Sequence, residues 1–169
     1  MNRIAILVAE FFDDNELFYP YYRFQEAGYH VDLIGAEAGA SFKSKKGQTA
    51  TSDLAARDVN ASDYEALMIP GGFSPDYMRR SEDIVTFAKA MNDAEKPIGA
   101  ICHGAWLLIS AADLKGKTLT CYHSIRVDVE NAGATYVDQE VVVDGNLITS
   151  RTPKDLPVFM KTFLNHLTA

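Results

Sequence analysis

The chain has 169 residues, long enough for one domain with a sizeable core, and 47% hydrophobic against 23% charged residues is the balance of a soluble globular protein. A formal net charge of −7 and a pI near 5.0 argue against a nucleic-acid binder or a protein docked on anionic membrane, since both need a basic face. No apolar run approaches the ~20 residues of a membrane span.

The elements follow in chain order. "RIAILVA" (3–9) is a short continuous apolar run, the mark of a strand buried on both faces. Met1-Asn2-Arg3 enters it directly, with no apolar leader and no cleavage site. Leu17, Tyr21, Phe24 and Ala27 recur at helical steps that end at Gly28. "HVDLIGA" (30–36) reads as a second strand, and the polar stretch 41–51 with Gly47 as a small hairpin or excursion. Lys43, Lys45 and Lys46 make this the densest basic patch, read as a solvated loop. "EALMIPGG" (65–72) is the third core strand, stopped by Pro70 and two glycines. Ser81 caps a helix with acids in its first turn and Ile84, Phe87, Ala88 and Met91 on one face.

"PIGAIC" (97–102) is a fourth core strand that runs straight into a helix reaching about Ala112. "KTLTCY" (117–122) reads as a fifth strand, and a helix covers roughly 125–131. Asp144-Gly145 between β-branched runs signals a hairpin over 140–149. Pro153 opens a last helix with Leu156, Phe159, Met160, Phe163 and Leu167 on one side. Strands alternating with helices predict a single α/β domain over 1–169, with a mostly parallel sheet and helices on both faces. Ligands in such folds sit at the carboxyl ends of the strands.

Three strand ends carry the polar residues. After the first strand come Glu10, Asp13, Asp14 and Glu16; acids here favour a helix N-terminus, and one of them is placed to face a thiol. A magnesium-binding receiver pocket would need an acceptor Asp after the third strand, where this chain has Pro70-Gly71-Gly72. Those paired glycines allow a sharp turn with exposed N–H groups. No G-x-G-x-x-G or P-loop lysine is present, so a nucleotide site is not expected, and nothing names a metal or cofactor. After the fourth strand, Ala100 and Gly104 flank Cys102 as small-x-Cys-x-small, the pattern of a nucleophile elbow. At that turn a helix N-terminus favours thiolate, His103 supplies a charge or a base, and the N–H groups of His103 and Gly72 form an oxyanion hole. A packed, inert thiol is the competing reading of Cys102, and it is the reading for Cys121; the two cysteines show neither metal spacing nor a disulfide scaffold, so reduced thiols and a cytoplasmic location are expected.

Those strand ends, with "DYEALMIPGGFSPDYMRR", "KPIGAICHGAWLLISAADLKGKTLT" and "ENAGATYVDQEVVVDGNLITSR", make the chain resemble the ThiJ/PfpI superfamily along its whole length, nearest its PfpI-type intracellular-protease branch. The resemblance implies a flavodoxin-like three-layer sandwich with Cys102 as nucleophile and His103 beside it. It implies Glu16, four residues before Pro20, as the thiol's hydrogen-bond partner, and Gly71 and Gly72 as oxyanion donors. It places Asp76 where a neighbouring subunit's carboxylate completes a Cys-His-acid triad, in a dimer or a hexamer; the branch has Glu there. The chain also departs at Trp106, which stands in the pocket wall, and at Tyr122, where a related branch has histidine. The activities implied are glyoxalase III-type hydrolysis of small carbonyls or deglycation, with an intracellular cysteine peptidase and a redox-sensing or chaperone-like stress protein as alternatives.

Overall fold

The computed structural model describes residues 2–168. Strand β1 (Arg3–Leu7) leads to helix α1 (Asp14–Glu26) and strand β2 (His30–Gly35). The hairpin β3 (Ser41–Lys43) and β4 (Thr49–Thr51) follows, then β5 (Leu54–Ala55) and β6 (Ala66–Ile69). Helices α2 (Ser74–Arg79) and α3 (Glu82–Asp93) precede β7 (Ile98–Ile101) and α4 (Ala105–Ala111). The chain closes with β8 (Thr118–Leu119), α5 (Arg126–Asn131), β9 (Thr135–Tyr136), the hairpin β10 (Val141–Asp144) and β11 (Leu147–Ser150), and α6 (Leu156–Thr168).

Seven strands form one sheet in the order β10-β11-β7-β6-β1-β2-β5, parallel except for β10. Alternation along β1 explains why both faces are apolar. Ala5 and Leu7 join Leu67, Ile84, Phe87 and Leu108 under α3 and α4. Ile4 and Ile6 point the other way, to Phe24, Phe159, Met160 and Phe163 under α1 and α6. Gly99 is where α6 comes down on the sheet: a Cβ there would lie 2.3 Å from the Phe163 ring. The result is the expected flavodoxin-like three-layer sandwich.

Two elements differ from the sequence reading. The run 117–122 contributes only Thr118–Leu119, paired with β9 in a separate two-stranded ribbon. The place beside β7 belongs to β11, and the residues after Leu119 are held by other bonds. Thr120 N donates to Thr149 Oγ1 (3.0 Å) and Tyr122 N to the Cys102 carbonyl (3.1 Å), so no ladder continues. Helix α2 lies in a segment to which the sequence pattern assigns no element. Pro75 in its first turn needs no N–H, and Ser74 Oγ donates to the Gly71 carbonyl (2.7 Å). No helix among the described residues is long and apolar enough to cross a membrane.

Candidate active site

Cys102 follows β7 with φ at +60°, a left-handed conformation that costs a non-glycine residue about 1–3 kcal/mol. Close packing enforces it. A Cβ on Gly104 would sit 2.8 Å from the Ile69 carbonyl and 3.5 Å from Ala100 Cβ, so the small residues around Cys102 are a steric requirement. The Tyr122 N–H holds the elbow's carbonyl from outside. Cys102 is only 8% exposed, and the backbone N–H groups of His103 and Gly72 are directed at its sulfur.

The two glycines after β6 have separate duties. Gly71 N donates to Glu16 Oε2 (2.7 Å), so this N–H is engaged by the carboxyl rather than aimed at the sulfur. A Cβ there would lie 2.5 Å from that oxygen and 3.0 Å from Cys102 Cβ. Gly72 has φ +67°, and a Cβ there would meet Asp13 N and the Phe11 carbonyl at 2.6 Å. Phe11 is itself at φ +58°, beside the same turn, with its ring 5.6 Å from Tyr77.

The acids after β1 divide as well. Asp13 caps α1, accepting at Oδ1 from Asn15 N (3.0 Å) and Glu16 N (3.2 Å). Asp14 is buried and accepts from Ser44 Oγ (2.6 Å). Glu16 alone reaches the thiol, as the sequence left open for one acid of the group. It is 1% exposed, and its Oε1 has no hydrogen-bond partner among the described residues. Burial first, and the Asp13 charge second, push its carboxyl up to about 8, so it carries a proton at neutral pH.

Burial also pushes the Cys102 thiol up, and the charge of an ionised Glu16 would push it further. Desolvation thus outweighs the pull of a short helix end that the sequence suggested. Sulfur and carboxyl form a coupled pair that holds at most one negative charge near neutrality. With Glu16 protonated, repulsion is removed and its O–H becomes a donor to sulfur. The His103 imidazole is 3.2 Å away through Nδ1, and burial lowers its pKa, leaving a neutral ring able to accept a proton.

Aromatic side chains fix that ring. It stacks on Tyr122 (centroids 5.0 Å, 28°), meets Trp106 edge-on (5.0 Å), and faces Phe73 at 6.2 Å. Trp106 is anchored by Nε1 donating to Asp128 Oδ2 (2.9 Å). Asp76 stands apart from this cluster. Half exposed on α2, it pairs with Arg80 (2.6 Å) and contributes no bond to His103 of its own chain. It lines a cleft of about 470 Å³ with Phe11, Phe73, Tyr77, Arg80 and Trp106. Among the described residues no group of three or more His, Cys, Asp or Glu side chains is arranged to hold a metal ion.

The sequence reading missed the contribution of the β3–β4 hairpin, whose Ser44 binds Asp14 and whose Lys45 approaches Asp13 (3.7 Å). Three lysines in an acidic chain, one loop away from an acidic strand end, were the available signal.

The family model "DJ-1/PfpI family" matches residues 2–166. "Putative cysteine protease YraA" of Bacillus subtilis (strain 168) is 50% identical over 166 residues, covering 98% of each chain. "Protein/nucleic acid deglycase 2" of Escherichia coli (strain K12) is 45% identical over 170 residues, covering 99% of each. Among solved structures, a two-domain protein from Anabaena variabilis with DJ-1/ThiJ/PfpI-like and ferritin-like domains superposes with a TM-score of 0.97 at 37% identity. That match covers 99% of this chain and 48% of the larger one.

Proposed function

The chain belongs to the DJ-1/PfpI family, and from that premise we propose that it is a cysteine-dependent enzyme acting on small reactive carbonyls and on the adducts they leave on amines. The observation that carries this reading is the strained Cys102 held between a protonated carboxyl, Glu16, and a neutral base, His103, with two N–H groups at the sulfur.

On a 2-oxoaldehyde, Cys102 Sγ bonds to the aldehyde carbon while the thiol proton passes to His103 Nδ1. The carbonyl π pair moves to oxygen, where the Gly72 and His103 N–H groups and the Glu16 O–H stabilise it until it is protonated to a hemithioacetal. Transfer of the C1 proton to C2 through His103 converts this to the thioester of a 2-hydroxy acid. Water then cleaves the C–S bond, releasing the acid and restoring the thiol. The name of the E. coli relative extends the substrate class to glycated side chains or bases, where the leaving group is an amine.

Cys102→Ala should reduce methylglyoxal consumption and release of methylglyoxal adducts from a peptide by on the order of 10³-fold. Unchanged rates in the purified variant would overturn the reading. The close Cys102–His103 pair, with the name of the B. subtilis relative, supports peptide-bond cleavage as a second reading. That reading calls for Asp76 to be supplied by another copy in a homo-oligomer. It predicts cleavage of fluorogenic peptides that fails in Asp76→Ala and on dissociation, whereas carbonyl turnover survives both.

A further inference from the structure

The β3–β4 hairpin is sewn onto the acidic loop. Phe11 N donates to the Lys43 carbonyl (2.7 Å) and Lys45 N to the Phe12 carbonyl (2.9 Å). Ser44 Oγ donates to buried Asp14 and accepts from Gln48 N (2.9 Å), while Phe12 also bridges to Gly72. Three segments of the site are thereby locked together, and the backbone of Lys45 is fixed against the acidic loop.

The Lys45 ammonium lies 5.9 Å above the Phe73 ring, the same ring that faces His103 at 6.2 Å. Its nearest anion is Asp13 Oδ2 at 3.7 Å, beyond hydrogen-bond reach. Asp13 is itself engaged through Oδ1 in capping α1. The positive charge of Lys45 reaches both groups that flank the thiol, Glu16 and His103. Arg80, the other cation of the adjoining cleft, is already neutralised by Asp76 and lies on the Tyr77 ring at 4.1 Å. Lys45 thus combines an anchored backbone, a long ion pair with Asp13 that leaves its N–H donors without a short hydrogen bond, and a charge felt at both groups flanking the thiol, in a protein whose net charge of −7 otherwise repels anions.

We propose that Lys45 is a specificity determinant that receives the carboxylate of a carbonyl substrate while Cys102 takes its aldehyde, so that anionic 2-oxoaldehydes are preferred to neutral ones. This rests on the reading of Cys102 as the nucleophile toward carbonyls. The reaction is otherwise as above: 4,5-dioxopentanoate takes up one water, moves its aldehyde hydrogen from C5 to C4, and leaves as 2-hydroxyglutarate.

Two reagent pairs test it. Iodoacetate and iodoacetamide alkylate thiols by the same displacement of iodide and differ by one charge. In Lys45→Gln the iodoacetate-to-iodoacetamide rate ratio at Cys102, resolved by peptide mass spectrometry, should fall about tenfold; Lys45→Arg should keep it, and ~0.5 M salt should lower the wild-type ratio toward the Gln value. In turnover, Lys45→Gln should lose about tenfold of the kcat/KM preference for 4,5-dioxopentanoate over methylglyoxal, through KM. Turnover of both substrates with both ratios unmoved would overturn the proposal and leave the carbonyl reading intact. Alkylation that follows Lys45 with no turnover of either substrate would overturn the carbonyl reading and leave the anion receptor standing. Failure of both reagents to modify Cys102, with no turnover of either substrate, would overturn both.

Discussion

Asp32 sits near the amino end of the central sheet and Glu16 beyond its carboxyl end, and each is almost wholly buried, at 4% and 1% exposure. Asp32 is surrounded by partners: Arg3 through Nε (3.0 Å) and Nη2 (2.5 Å), and His30 Nε2 (3.0 Å), with Tyr64 beside it. Glu16 has one N–H on one oxygen, a thiol alongside, and no hydrogen-bond partner among the described residues on the other oxygen. A buried carboxylate with a cation is a structural tie; one without is held as an acid, ready to exchange a proton. The glycines repeat the contrast. Gly28, before β2, has open space where a Cβ would go, whereas Gly72 is jammed against backbone.

The widest gap between the two ends should appear on replacing the titratable carboxyl of Glu16 by an amide. Its carboxyl titrates near 8 in the folded protein against 4.5 as its ordinary value. The folded state therefore holds an extra proton between those values. This group favours the fold most below pH 4.5, and that favour is lost as pH rises through 8. Urea unfolding should show wild type losing about 4 kcal/mol between these limits relative to Glu16→Gln. Carbonyl turnover should fall in the variant, because an amide N–H is a weaker donor to the developing oxyanion than the carboxyl O–H.

Gly72→Ala should cost about 3 kcal/mol, since its Cβ meets two backbone atoms at 2.6 Å as well as an unfavourable φ. Asp32→Asn, which strands Arg3, should cost about 2 kcal/mol and leave the Cys102 alkylation rate within twofold of wild type. Gly28→Ala meets only the φ penalty and should cost about 1 kcal/mol. If Gly28 and Gly72 prove equally sensitive, the crowding at the carboxyl end is not what restrains the site.

The same contrast explains what could be seen in advance. Strands over 3–9, 30–36, 65–72 and 97–102 announce themselves because burial on both faces demands continuous apolar runs. Small residues at 100 and 104 mark the elbow because a side chain at 104 would collide with the Ile69 carbonyl and crowd Ala100. That Glu16, rather than Asp13 or Asp14, faces the thiol came from family resemblance. Spacing alone leaves three acids within one turn of each other, and only the register of α1 against Gly71 separates them. The division of labour between Gly71 and Gly72 was illegible for a similar reason, as it turns on where a carboxyl oxygen lands. The run 117–122 misled because its alternating threonines and apolar residues look like a full sheet strand, whereas only Thr118–Leu119 forms one, and outside the main sheet. The bonds that divert the chain come from Thr149 and Cys102, far along the sequence. Lys45 was read as a solvated loop because long-range lacing of a hairpin leaves no local pattern.

The most direct test of the central claim, that Glu16 is kept as an acid beside Cys102, is a carbon-13 NMR titration of its side-chain carboxyl in the reduced protein. A midpoint near pH 8, with the carboxyl protonated at neutrality, is the predicted result. A midpoint near the ordinary 4.5 would mean that Glu16 is an ionised carboxylate and would contradict the account.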